Sequence, residues 1–193
     1  MHLDTVPSAR RPGLLQPLAV AMLACSVSAA SSAADDCCSC AVDEPTTVSR
    51  PGIPCLFDVP ADWKVTVGDD GALSSAVAAP ACGTSCANGA PGISASFAKK
   101  PDSNADTREE IWRQIMPIVG SARCGEGTVT FFRPPGADAS GPTGGVNFYV
   151  AIDGRKYSGA ATFTCGQPGG WLALRELFVA SFRDNPESNF PGD

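Results

Sequence analysis

The stretch Cys55-Leu-Phe-Asp-Val-Pro-Ala-Asp-Trp-Lys-Val-Thr-Val67 most constrains what this chain can fold into. Its apolar residues fall in two short runs separated by Pro60-Ala-Asp62. Runs of this length specify strands rather than helices, and a Pro-Ala-Asp step supplies the corner between them. The spacing predicts one strand over Leu56–Val59 and a second over Trp63–Val67. Everything before this stretch reads as export signal, tether or leader, and everything after it as one folded domain.

Arg10-Arg11 followed by the apolar run Leu14–Ala24 has the form of an export signal, with a basic region and then an apolar region too short to span a bilayer. Residues 1–33 are assigned to it. Met22-Leu-Ala-Cys25 resembles a bacterial lipobox, in which the cysteine is lipidated and begins the mature chain at residue 25. Residues 26–34, rich in Ser and Ala, then form a flexible tether. Val27-Ser-Ala29 and Ser31-Ser-Ala33 offer the small-residue pattern of an ordinary signal peptidase instead. Lipidation of Cys25 is the preferred reading because the chain has nine cysteines, and removing Cys25 leaves an even set.

That set is Cys37, Cys38, Cys40, Cys55, Cys82, Cys86, Cys124 and Cys165. In an oxidising compartment spare thiols pair, so all eight are expected in disulfides. Cys82-Gly-Thr-Ser-Cys86 is expected to form a local staple, with the leader cysteines pairing among themselves or with Cys55. A soft thiolate site for copper(I) or zinc at Cys37, Cys38 and Cys40 is the competing reading. No repeated C-x-x-C pair supports it, so no metal and no cofactor are expected.

The only histidine is His2, inside the export signal. The mature chain therefore lacks the base of Ser-His-Asp and Cys-His catalysis and the commonest zinc ligand. A Ser-Lys hydrolase would need no histidine, but none of the four lysines sits in a Ser-x-x-Lys pattern. The net charge is −6, and 12 basic against 19 acidic residues follow residue 33. That balance argues against nucleic acid, whose binding rests on neutralising phosphates, and against adsorption to an anionic bilayer. Contact with a membrane is expected only through a lipid on Cys25.

Residues 34–54 read as a cysteine-rich leader and, from Ala41 to Pro54, a proline-broken linker. The domain is assigned to 55–185 and a tail to 186–193. Within it, Gly68-Asp-Asp-Gly71 predicts a hairpin turn, Ala72–Ala78 a returning strand and Ile93–Phe97 another. Asp106-Thr-Arg-Glu109 has the form of a capping box, opening a helix to about Val119. Ile111, Ile115 and Ile118 would be its apolar face, with Trp112, Met116 and Val119 beside them. Asp106, Glu109 and Glu110 are expected to be a solvated first turn. Thr128–Arg133 reads as a strand and Pro134–Gly145 as a long surface loop. Val146–Ile152, Asp153-Gly154 and Tyr157–Cys165 form the clearest hairpin. After Gly166-Gln-Pro-Gly-Gly170, Trp171–Arg183 reads as a closing helix, with Trp171, Leu174, Phe178 and Phe182 on one stripe and Leu177 alongside.

The expected fold is α+β: an antiparallel sheet with a mid-chain helix and a closing C-terminal helix. Phe57-x-Val-Pro-x-x-Trp63, the mid-chain helix and the ending Phe178-Val-Ala-Ser-Phe182 resemble the PsbP-like superfamily and its DcrB-type envelope proteins, over residues 55–185. The resemblance implies a small extracytoplasmic accessory or interaction protein and no shared catalytic set. The functional expectation is a non-catalytic accessory or binding protein of the cell envelope, periplasmic, secreted or held as an outer-membrane lipoprotein. Its partner would be an envelope protein or a small ligand, met by the loops Pro80–Pro91 and Pro134–Gly145. The alternatives are thiol or metal handling by Cys37, Cys38 and Cys40, and a histidine-independent hydrolase.

Overall fold

A computed structural model of the chain describes residues 40, 42–81, 86, 90–136 and 140–190, all within one compact unit. The hairpin turn at Asp153-Gly154 lies at the centre of its sheet. Asp153 (φ 49°) and Gly154 (φ 69°) both adopt left-handed backbone. A two-residue turn of that kind twists with its flanking strands and locks their register. Strands β8 (Thr143–Ile152) and β9 (Arg155–Thr164) pair along their whole length, from Ile152 opposite Arg155 to Thr143 opposite Thr164.

From that centre a seven-stranded antiparallel sheet extends both ways, in the order β3-β4-β5-β9-β8-β7-β6. Its other strands are β3 (Trp63–Asp69), β4 (Leu73–Pro80), β5 (Gly92–Ala98), β6 (Ile118–Cys124) and β7 (Gly127–Phe132). A three-stranded layer holds β1 (Pro45–Val48), β2 (Cys55–Pro60) and β10 (Arg183–Asp184), ordered β1-β2-β10. Helix α1 is Ala105–Ile115 and helix α2 is Trp171–Ser181. The expected α+β class, antiparallel sheet and two helices are all present.

The core lies between α2 with β2 and the inner face of the large sheet. Strand alternation sends Phe97, Phe131, Phe148 and Phe163 inward, where they meet Phe57 from β2 and Phe178 from α2, all buried. Phe178 lies 4.8 Å from Phe57 and 5.5 Å from Phe163, centroid to centroid. The expected stripe Trp171, Leu174, Phe178 and Phe182 is buried throughout. The large rings fit because the positions opposite them are glycine. A Cβ on Gly159 would overlap the Phe148 ring, and one on Gly144 would overlap the Trp171 indole.

Several expectations need correction. The stretch 41–54 is not simply a linker: β1 pairs antiparallel with β2, and Ile53 is fully buried. Helix α1 ends at Ile115 rather than near Val119. Pro117 is the cause, because a proline pushes the residue before it to extended backbone, and Met116 has φ −114° and ψ 138°. The residues after it form β6, an edge strand the periodicity did not suggest. The capping box is absent. Asn104 is the N-cap and makes no side-chain cap, while Asp106 is already inside the first turn.

The expected apolar face of α1 is also reversed. Ala105 is buried and Glu109, Trp112 and Met116 are half-buried, whereas Ile111, Ile115 and Ile118 are exposed. Helix α2 stops at Ser181, and Arg183-Asp184 joins β2 as β10 instead. The loop read as Pro80–Pro91 begins after β4, which runs to Pro80, and most of it lies outside the described residues. The loop read as Pro134–Gly145 gives up Thr143–Gly145 to β8. Phe190, in the segment read as a tail, is buried 5.3 Å from the Tyr157 ring.

Two disulfides join distant parts of the chain. Cys40 is bonded to Cys165 and Cys55 to Cys124, with Cα atoms 6.1 and 6.0 Å apart. For Cys40 this corrects the expectation that the leader cysteines pair with one another or with Cys55. The sheet places Cys55 beside the end of β6 and Cys165 at the end of β9, so the partners are spatial rather than local. Cys86 is also disulfide-bonded. Cys25, Cys37, Cys38 and Cys82 lie outside the described residues, and with them the expected lipidation and the Cys82–Cys86 staple.

Candidate functional site

The outer face of the large sheet, away from the phenylalanine core, carries a network of ion pairs and hydrogen bonds around α1. Helix α1 lies on this face. Its Trp112 stacks on Tyr149 of β8, centroids 5.0 Å apart and planes 24° apart, and meets Phe132 of β7 edge-on at 5.7 Å. Tyr149 points outward because its neighbours Phe148 and Val150 point inward.

A network of ion pairs fixes the helix in place. Asp102, in the loop before α1, accepts hydrogen bonds from the Tyr149 hydroxyl at 2.9 Å, the Asn104 backbone N–H at 2.9 Å and Arg108 Nη1 at 3.0 Å. Lys156 Nζ on β9 donates to Asp106 Oδ1 at 2.7 Å and Glu109 Oε2 at 2.6 Å. Arg113 Nη2 reaches the other Glu109 oxygen at 2.8 Å and Thr130 Oγ1 at 3.2 Å. Its guanidinium also sits 5.7 Å from the Phe132 ring centroid. The expectation of a solvated acidic first turn therefore fails for Glu109, which is the half-buried hub between two cations.

Electrostatics set the charge states. The Asn104 N–H and the Tyr149 hydroxyl hold the Asp102 carboxyl below its ordinary range. Burial and then the hydrogen bond to Asp102 push the Tyr149 phenol up to about 12. For Lys156, burial alone would lower the pKa, but the hydrogen bonds it donates to Asp106 and Glu109 outweigh it and raise it. At neutral pH the phenol keeps its proton and the lysine its charge. Both are engaged as donors, so the cluster acts as a latch between α1 and the sheet.

Beside this latch the outer face is open. The outward positions of β5, β9 and β8 are small or polar, among them Ser96, Ala98, Ser158, Ala160 and Asn147. With Leu73, Arg108, Trp112 and Tyr149 they line a cleft of about 280 Å³ under one flank of α1. Leu73 (42% exposed), Val77 (46%), Ile111 (48%), Ile115 (62%) and Ile118 (52%) are the large apolar side chains left exposed among the described residues. All five lie on β4, α1 or the start of β6.

Of the expected site residues, the structure brings together Cys40 with Cys165 and Cys55 with Cys124. With Cys40 engaged, Cys37, Cys38 and Cys40 cannot act as a three-thiolate set in this state. Among the described residues no group of three or more His, Cys, Asp or Glu side chains is arranged to hold a metal. Sequence reasoning missed Asp102, Tyr149 and Lys156. Two signals pointed to them: Asp102 two residues before Asn104 is an Asx-turn pattern, and Tyr149 and Lys156 fall on the outward phase of the clearest hairpin.

Among the described residues no helix is long and apolar enough to cross a membrane. The disulfides fit a compartment outside the cytoplasm. No family model matches the chain, and no curated protein matches it.

Proposed function

We propose that this protein is an exported accessory protein of the cell envelope that binds a partner through the outer face of its seven-stranded sheet and performs no covalent chemistry. The observation that carries this reading is the exposure of Leu73, Val77, Ile111, Ile115 and Ile118 around one face. Exposed apolar residues scattered singly need no explanation, but a group of them beside a concave surface is a feature of interaction sites. The latch supports a binding role over a catalytic one: Tyr149 is protonated, Lys156 is charged, and both carboxylate oxygens of Glu109 are taken.

The lipobox-like Met22-Leu-Ala-Cys25 and the even cysteine set left without Cys25 favour an outer-membrane lipoprotein over a freely secreted protein, and the disulfides fit either. The PsbP-like resemblance rests on Phe57-x-Val-Pro-x-x-Trp63 and Phe178-Val-Ala-Ser-Phe182, and an accessory role is what it implies. The outer face is preferred to the loops Pro80–Pro91 and Pro134–Gly145 because all five large apolar residues exposed among the described residues lie on its strands or on the helix that covers it. A photo-reactive amino acid at Ile115 tests the reading in envelope extract, with the same probe at exposed Thr47 as control. Capture of one defined partner from Ile115 alone supports the outer face. Equal capture from both positions, or from neither, removes it.

A further inference from the structure

The cleft under α1 differs in chemistry from the apolar residues around it. Ser96 of β5, Ala160 of β9 and Asn147 of β8 form one row across three adjacent strands, since Ser96 pairs with Ala160 and Ala160 with Asn147. Ser158 lies one step along, opposite Tyr149. Neighbouring strands are about 4.8 Å apart, so the two ends of the row lie about 10 Å apart. The side chains of Asn147 and Ser158 make no hydrogen bond to any described residue. The Ser96 hydroxyl reaches the Ala160 carbonyl only at 3.5 Å. Three side chains that can each donate and accept therefore converge on one small concavity.

Three further properties restrict what fits there. The floor is the face of a sheet, not its edge. Its backbone N–H and C=O groups are engaged in the ladder, so an extended peptide gains no main-chain pairing and recognition falls to side chains. The one cation lining the cleft, Arg108, is already paired with Asp102 at 3.0 Å, so an anionic ligand finds no uncompensated positive charge. Half-buried Trp112 forms the aromatic wall, with Tyr149 buried beneath it, beside a floor of Ala98 and Ala160 and with Leu73 at the rim. A volume of about 280 Å³ lies just under the range of ordinary ligand pockets, which suits a single ring.

We infer that this cleft binds a neutral pyranose sugar, alone or as the end of a glycan. A sugar hydroxyl both donates and accepts, matching the Asn147 amide and the Ser158 and Ser96 hydroxyls. The C–H edges of the ring meet the aromatic wall and Leu73, and the sugar's lack of charge matches the neutralised Arg108. This inference rests on the reading of the outer face as a binding surface and names a ligand for part of it.

The test is an NMR titration of the oxidised, isotope-labelled mature protein with glucose, galactose and N-acetylglucosamine, and with glucuronate as the charged counterpart. A neutral sugar is expected to shift the Asn147, Ser158 and Ser96 amides and the Trp112 indole in a saturable way, while glucuronate binds at least several-fold more weakly. Asn147→Ala should weaken binding about tenfold, the loss of one or two hydrogen bonds. Ser158→Val, which a strand accommodates, fills the cleft and should abolish binding with the thermal midpoint retained. Binding in Ser158→Val at the native affinity overturns the inference. So do shifts mapping elsewhere, equal binding of glucuronate, or no saturable shift with any neutral sugar. Capture from Ile115 without sugar binding removes the sugar and keeps the binding face; failure of both removes the binding face as well.

Discussion

Tyr149 donates its hydroxyl to Asp102 at 2.9 Å while its ring lies stacked under Trp112 at 5.0 Å. One residue thus ties the loop before α1, the helix itself and the middle of β8 together. It adds to the ties that Lys156–Glu109 and Arg113–Thr130 make between the helix and the sheet.

That contact has a pH signature. Burial and the hydrogen bond to Asp102 favour the neutral phenol, raising its pKa from 10.0 to about 12. A group whose folded pKa is raised contributes its full stabilisation below its unfolded value and loses it as pH rises through the folded one. The contribution of Tyr149 should be complete below pH 10 and disappear towards pH 12. Tyrosinate absorbance should show a component with a midpoint near 12 that is missing from Tyr149→Phe. Denaturant stability should fall more steeply across this window in the native protein than in the variant. An unshifted phenol in both measurements would break the link between Tyr149 and Asp102.

Phe178 is the centre of the inner core, with ring contacts to Phe57, Phe131, Phe148, Phe163 and Phe182. It is fully buried. Phe178→Ala should cost about 3–5 kcal/mol in denaturant unfolding, the range for removing a buried ring and leaving a cavity. Unchanged stability would mean that α2 does not pack on the sheet through this side.

Gly159 tests the same core from the sheet. A Cβ there would overlap Phe148, and both residues are on paired strands with little room to move apart. Gly159→Ala should destabilise by about 1–3 kcal/mol, as overpacking does. Gly127 has open space where its Cβ would stand, so Gly127→Ala should be close to neutral in the same assay. A similar loss in both variants would point to backbone effects rather than the Phe148 ring.

How far the sequence predicts this fold depends on whether each signal is local. Asp153-Gly154 between period-two runs identifies a hairpin by turn chemistry alone, and the stripe from Trp171 to Phe182 identifies a helix face by spacing alone. Both are present, with the helix ending at Ser181 and the strands shifted by a few residues at their ends. Helix α1 misled because it is held by Glu109, Trp112 and Met116 with ion pairs at its flanks, so its most apolar stripe, Ile111 and Ile115, faces solvent. Pro117 was a readable stop signal, masked by the apolar residues around it. The latch joins residues about 47 positions apart, such as Asp102 with Tyr149 and Glu109 with Lys156, and no window of sequence brings them together.

The cysteine pairings are of this non-local kind, and they yield the most direct test. The Cys40–Cys165 bond closes a sequence separation of 125 residues and Cys55–Cys124 one of 69. Loop-closure entropy over such spans corresponds to about 4–5 kcal/mol each, with the unfolded chain bearing the constraint. Peptide mapping of the native protein under non-reducing conditions should yield one linked peptide pair containing Cys40 and Cys165 and another containing Cys55 and Cys124. Cys55→Ala with Cys124→Ala should lower denaturant stability by several kcal/mol, less whatever the smaller buried side chains regain by repacking. Cys40→Ala with Cys165→Ala should lower it similarly, and should also free the segment before β1 for limited proteolysis, because Cys40 is its covalent tie to β9. Linked peptides with any other partner for Cys40 or Cys55 would overturn the pairing, and with it the placement of Cys40 against the end of β9.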